Sequence, residues 1–301
     1  MNFSVNIGSI KFSTPITTAA GTFAFNKQCL DKDVIDALGS ITPKTVTLHP
    51  RQGNSSPRIV ETPSGMINAI GIENPGIDAF FDKDWDNYKS LNKPIILSVS
   101  GGSQEEWVVL ADKVQNRDNL VAVELNLSCP NLGHKTLIAQ DTKAIHDVIS
   151  AVKKKSNISV IAKLSPNVSD ITEIAKAAED AGADGLSLIN TLQAMDIDIN
   201  KRVSRLGNIV GGLSGPAIRP VAVCMVYKVS KAVKIPIIAM GGILTAEDAL
   251  QFIIAGATKV AIGTGCFVDP KAAVNVLSGI KDYLIKHNID DIKSLIGSLN
   301  S

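Results

Sequence analysis

The sequence is poor in the residues that build metal and redox centres. Its four cysteines, Cys29, Cys129, Cys224 and Cys266, lie far apart with no C-x-x-C pair, which excludes a disulfide framework and a thiolate zinc or iron–sulfur site. Any cysteine chemistry here belongs to a single thiol. The four histidines, His49, His134, His146 and His287, do not pair at metal-ligand spacing either. Net charge is equally scant. Thirty Lys and Arg against 29 Asp and Glu leave +1, too little for the basic surface that binding a phosphate backbone demands. No apolar run approaches the roughly 18 residues of a membrane-spanning helix, and Met1–Phe12 holds no basic cluster followed by an apolar core. The chain is therefore expected in the cytosol, with neither nucleic acid nor membrane as a partner.

What is present describes a globular chain. It has 301 residues, 45% hydrophobic and 20% charged, enough to bury a large core and too apolar for disorder. From Ile16 onward one unit recurs: a short apolar run, a loop, then a stretch with apolar residues at three- and four-residue spacing. Eight strands are expected, at Ile16–Ala20, Ser40–Thr47, Pro94–Ser100, Val121–Asn126, Ser159–Leu164, Gly185–Asn190, Pro236–Met240 and Lys259–Ile262. Near-continuous apolar runs suit strands buried on both faces of a parallel sheet. Helices are expected at Gln104–Val114, Thr142–Lys155, Ser169–Ala181, Ala217–Val233, Thr245–Ala255 and Pro270–Lys286, with Ser103, Asp141, Ser169 and Thr245 as caps and Gly182 and Gly256 beyond helix ends.

This rhythm over about 250 residues predicts an α/β fold, a (β/α)₈ TIM barrel with its site at the C-terminal strand ends. Residues 1–301 read as one domain. Phe3–Ser13, turning at Gly8-Ser9, reads as an N-terminal β-hairpin closing the other mouth. Arg51–Tyr88 is too long for a connection and is read as an insertion over the active face.

The strand ends then present Lys44, Ser98, Asn126, Lys163 and Asn190 to one cavity, each polar after an apolar run. Singly, such asparagines are turn or cap residues; together they make a site. Glycine-rich loops follow at Gly211–Gly215, Gly241-Gly242 and Gly263-Thr264-Gly265. Each alone is a plain turn, but the last strands of this fold commonly cradle a phosphate. Directly after the fourth strand stands Asn126-Leu127-Ser128-Cys129-Pro130-Asn131, whose Cys-Pro breaks the strand and exposes a thiol at the barrel mouth.

At these residues the chain resembles the catalytic subunit of class 1 dihydroorotate dehydrogenases, over essentially its whole length. The matching segments are Pro43–Thr47, Pro50–Asn54, Thr62–Gly71, Asn126–Asn131, Lys163–Asn167, Ile189–Thr191 and Gly211–Gly215, and Asn68–Pro75 is similar to the class 1B branch. The resemblance implies oxidation of dihydroorotate to orotate in pyrimidine biosynthesis, with FMN as hydride acceptor and Cys129 as catalytic base. A free thiol, with a pKa of about 8.5, needs help to ionise at pH 7. The resemblance also implies substrate contacts from Lys44, Asn68, Ala69, Ile70, Gly71, Ile72, Asn126, Asn131, Asn190 and Thr191. FMN contacts are implied for Gly21, Lys44, Thr45, Ser98, Asn126, Lys163, Ile189, Gly215, Gly241, Gly242, Gly263 and Thr264. By the same resemblance, Lys163 is expected by the flavin edge that becomes negative on reduction. Amides suit the pyrimidine, which alternates N–H and C=O groups.

The class 1B branch further implies a homodimer core with an FAD- and [2Fe–2S]-containing electron-transfer subunit that passes electrons to NAD. This chain departs from the family pattern at Gly21, His49 and Ser98 and in the loop Leu132–Gln140. Competing readings are a fumarate-dependent class 1A enzyme and a catalytically silent barrel serving as a binding module. A tRNA dihydrouridine synthase is set aside by the near-neutral charge. The three remaining cysteines are expected to be small buried hydrophobes.

Overall fold

The computed structural model of the chain describes residues 1–23, 25–128 and 138–300. β1 (Val5–Ile7) and β2 (Ile10–Phe12) form the expected hairpin, Val5 opposite Phe12, around Gly8. The Phe12 ring lies 4.4 Å from the Lys259 ammonium at the start of the last barrel strand, so the hairpin covers the N-terminal end. β3 (Ile16–Thr18) and α1 (Lys32–Ala37) follow; β4 (Ile59–Thr62) and β5 (Gly65–Asn68) make a second hairpin, and α2 (Ile77–Lys83) and α3 (Trp85–Lys89) lead back. Strand and helix then alternate through β6 (Ile95–Val99), α4 (Gln104–Lys113), β7 (Leu120–Asn126), α5 (Thr142–Lys155), β8 (Ser159–Lys163), α6 (Ile171–Asp180) and β9 (Gly185–Leu188). β10 (Leu192–Ala194), β11 (Ile197–Asp198), β12 (Val203–Ser204) and β13 (Gly211–Ser214) leave the barrel. It is completed by α7 (Arg219–Ala232), β14 (Ile237–Ala239), α8 (Ala246–Ala255), β15 (Lys259–Ile262), α9 (Gly265–Val268) and α10 (Ala272–Lys286).

Seven strands pair in parallel in the order β3-β15-β14-β9-β8-β7-β6. The eighth stave is not the continuous strand expected at Ser40–Thr47. Residues 40–46 touch β3 at Thr17/Ser40 and β6 at Ile41/Ile95 and Val46/Val99, closing the cylinder by single bridges. Pro43 lies between those contacts and has no N–H to donate, so a regular ladder cannot run through it. The outcome is the (β/α)₈ barrel.

β6, β9, β14 and β15 are buried along their whole length, because one face fills the barrel and the other meets helices. Ile145, Val148, Ile149 and Val152 of α5 show the matching helical stripe. Ser103, Asp141 and Thr245 cap as expected; α6 is capped by Asp170, one residue later than Ser169, through a bond to the Thr172 N–H. The insertion does cover the active face. β4 and β5 join β13 and β10 in an antiparallel sheet, ordered β10-β13-β5-β4, that lies across the C-terminal mouth over a small core of Ile67, Ala69 and Leu206.

Candidate active site

Two adjoining cavities of about 520 Å³ each open at the C-terminal strand ends beneath that sheet, within the roughly 300–1,000 Å³ range of small-molecule sites. Lys44, Asn68, Ile70, Lys163, Asn190 and Thr191 belong to both walls. The first cavity is lined with amides. Lys44, Thr45, Asn68, Ala69, Ile70, Gly71, Ile72, Asn126, Asn190 and Thr191 all face it, as do Ser128, Ser165, Asn167 and Gln193. Asn126 ends β7 directly beside Lys163 of β8. The Asn190 side-chain N–H₂ donates to Asn126 Oδ1 (3.2 Å) and Ser128 Oγ (2.9 Å), and its Oδ1 accepts from the Thr191 N–H (2.8 Å). Those bonds use both Asn190 donors, and among the described residues the Asn126 N–H₂ has no partner, so it can donate to a ligand carbonyl.

The second cavity is narrower in chemistry: apolar along its length, cationic at one end and glycine-rich at the other. Gly21, Lys44, Lys163, Ile189, Gly215, Gly241, Gly242, Gly263 and Thr264 line it beside Ala19, Met66, Ile218 and Met240. Gly215, Gly241 and Gly242 adopt φ of +93°, +139° and +73°, a region that side chains with a Cβ rarely enter. A Cβ on Gly242 would meet the Gly215 carbonyl at 2.6 Å, so the loops after β13 and β14 approach each other only because this residue is bare. Thr264 Oγ1 donates to Ser214 Oγ at 2.7 Å, tying the loop after β15 to the same place.

Ser98 is fully buried and bonded to Thr45 Oγ1 at 3.0 Å, behind the Thr45 wall and outside both cavities. A short side chain on the strand interior does not reach past its neighbour. Cys129 and Asn131 lie outside the described residues, as does His134; Ser128, which precedes Cys129, lines the first cavity.

Positive charge gathers where the cavities meet. Burial holds the Lys44 ammonium below the usual lysine range, and the nearby charge of Lys163 adds to the effect, against a smaller opposite pull from Glu73. Two cations facing one polar space favour an anionic guest. Beneath them Glu124 of β7 is 2% exposed, with Oε1 3.8 Å from Lys163 Nζ and Oε2 accepting from Ser187 Oγ at 2.7 Å. Sequence reasoning passed over Glu124, although a lone carboxylate in an apolar strand two residues before Asn126 must point the same way as Asn126. Ser165 and Asn167 lay in the matching segment Lys163–Asn167 without being singled out, and Gln193 carried no signal. Their place depends on loops that only the fold brings together.

Of the other cysteines, Cys29 is buried, and burial pushes the Cys266 thiol up to about 12. Cys224 is exposed on α7, contrary to the buried state expected for it, because it stands off the inward stripe of Ala222, Val226 and Val229. Among the described residues no group of His, Cys, Asp and Glu could hold a metal ion, and no helix is long and apolar enough to cross a membrane.

Comparison with known proteins decides the family. The family model described as "Dihydroorotate dehydrogenase" matches residues 2–284. The chain belongs to the dihydroorotate dehydrogenase family. It is 46% identical over 299 residues to the protein of Geotalea uraniireducens named "Dihydroorotate dehydrogenase B (NAD(+)), catalytic subunit", covering 99% of this chain and 98% of that one. The protein of that name from Lachnoclostridium phytofermentans is 48% identical over 298 residues, 99% of each chain. These relatives are of the B type. Within the dihydroorotate dehydrogenase family, the amide cavity and the glycine-ended cavity offer a place for a substrate and for a cofactor.

Proposed function

We propose that this chain oxidises dihydroorotate to orotate with FMN, as the catalytic subunit of a B-type enzyme. The observation that carries the proposal is the junction of two cavities at Lys44 and Lys163: one lined with amides, the other with apolar walls, the shared cations and a run of glycines. The second suits FMN. Its apolar walls match a planar ring system, Lys163 matches the pyrimidine edge of the flavin, and Gly215, Gly241, Gly242, Gly263 and Thr264 can bring backbone close to a single phosphate. Such a site favours FMN over the bulkier FAD.

The reaction removes a proton from C5 and a hydride from C6, leaving a C5–C6 double bond. FMN, when bound, supplies the hydride acceptor. The protein does the rest. Cys129 Sγ takes the C5 proton. Asn68, Asn126, Asn131, Asn190 and Thr191 hold the ring by its N–H and C=O groups, and Lys44 balances the carboxylate. The β4–β5 hairpin and its partner strands exclude water above the ring. Lys163 would stabilise the negative charge that a bound flavin gains on reduction.

A partner subunit holding FAD and a [2Fe–2S] cluster, bound to a homodimer of this chain, would carry the electrons on to NAD. The relatives' designation as catalytic subunits supports a partner. Purified chain is expected to be yellow and to bleach with dihydroorotate. Cys129→Ala should slow that bleaching by about 10²–10⁴-fold, the usual contribution of a positioned base, while leaving flavin content unchanged. An unslowed reductive half-reaction removes Cys129 from the mechanism, and a colourless chain removes the flavin.

A further inference from the structure

We propose that Glu124 is the positioning residue for Lys163, holding its ammonium at the junction of the two cavities and so setting the site's preference for reduced over oxidised flavin. The inference rests on the flavin reading above and deepens it. Glu124 sits on β7 two residues before Asn126 and faces the barrel interior with it. Its carboxylate is anchored on one side only. Oε2 accepts from Ser187 Oγ at 2.7 Å, whereas Oε1 is buried without a hydrogen-bond partner among the described residues and lies 3.8 Å from Lys163 Nζ.

A carboxylate with an unbonded oxygen in a barrel interior is costly unless a cation compensates it. Lys163 is that cation, and its own side chain is 8% exposed. At 3.8 Å the pair attracts by charge yet is too long for a direct hydrogen bond. The ammonium is therefore held from below, and among the described residues no hydrogen bond takes up its N–H groups. The hold has an opponent in Lys44, the second, half-buried cation on the shared wall. Without Glu124, repulsion from Lys44 would move Lys163 off the junction.

The test is the midpoint potential of FMN bound to the full chain, measured by equilibration with a reference dye. Glu124→Gln keeps the side chain's size and its bond to Ser187 but removes the charge. Loss of positioning lowers the preference for reduced flavin by tenfold or more, a fall of about 30 mV for two electrons. Glu124→Asp keeps the charge and should shift that preference less than about threefold. In a Lys163→Met background Glu124→Gln should add nothing, as expected when one residue acts through the other.

A carboxylate acting through space alone gives the opposite sign, since removing a nearby anion favours negative reduced flavin and raises the potential in both backgrounds. A rise, or no change, overturns the proposal. Should Glu124→Gln fail to fold, Ser187→Ala releases the anchored oxygen while keeping the charge, and a potential unchanged there overturns it equally. A wild-type chain that takes up no FMN sinks the flavin reading itself, a result distinct from either.

Discussion

Lys259 is fully buried at the start of β15, where its Nζ donates to the carbonyls of Thr14 (3.4 Å) and Ile16 (3.1 Å) and lies over the Phe12 ring. A neutral amine has two N–H groups to give, which matches two carbonyls. Burial holds this lysine well below its ordinary pKa, and the charge of Lys93 pushes the same way. The folded state therefore binds fewer protons than the unfolded chain, and the resulting penalty shrinks as pH rises toward the unfolded value of about 10.4. Lys259→Met removes the penalty. The Ile16 carbonyl keeps its bond from the Gly39 N–H at 2.8 Å, so one acceptor at most is orphaned. We expect the variant to gain about 1–2 kcal/mol at pH 7 and to lose the increment in stability that wild type shows between pH 7 and pH 10. Urea melts at both pH values measure it; a variant less stable than wild type at pH 7 refutes it. Lys163 shows the contrast: it has a carboxylate and a cavity, and among the described residues Lys259 has neither.

At the scale of elements, the strands were legible because each is a buried run with turn residues at its ends, and β15 has the same bounds in sequence and structure. The stave at residues 40–46 was legible as a position and not as a strand, since Pro43 breaks the ladder that its apolar neighbours suggest. The mouth sheet was not legible as a sheet. Its central pairing sets Gly212 beside Asn68, two short segments 144 residues apart with no local signal of partnership. α1, α2 and α3 were missed because helices of 6, 7 and 5 residues show under two turns of periodicity. Among loops, the one after β14 is fastened by a residue that sequence marked only as part of a helix. Asp248 Oδ2 accepts from the Leu244 and Thr245 N–H groups at 2.9 Å each, completing a capping box, and Oδ1 pairs with Arg219 of α7. Asp248→Ala should cost about 2–3 kcal/mol, combining a lost cap with a broken, partly buried ion pair. It should also weaken FMN retention through Gly241-Gly242. Thermal melting with and without added FMN reads both, and a melt like wild type's in each condition shows that the loop needs no such fastening.

For the whole molecule, a cylinder that is polar at one mouth and covered by a hairpin at the other would, on the proposed reading, hand on electrons at the rim of the cofactor-side cavity. That rim is apolar. Ile59 and Phe267 line the cavity and are 52% and 57% exposed, and Val268, the next residue after Phe267, is 68% exposed. Large apolar side chains grouped at a cavity mouth suit a surface covered in an assembly, and a chain that passes electrons onward needs its acceptor near the flavin. Val268→Asp places a charge on that rim without touching either cavity wall. Dye reduction by the chain alone should be unchanged, because the chemistry lies below. NAD reduction by the complex with its electron-transfer subunit should fall about tenfold or more, since a charge buried unpaired in an interface costs well over 1.4 kcal/mol. If NAD reduction persists at the wild-type rate, the partner docks elsewhere; if dye reduction falls in parallel, the change has reached the active site and the rim is no separate surface.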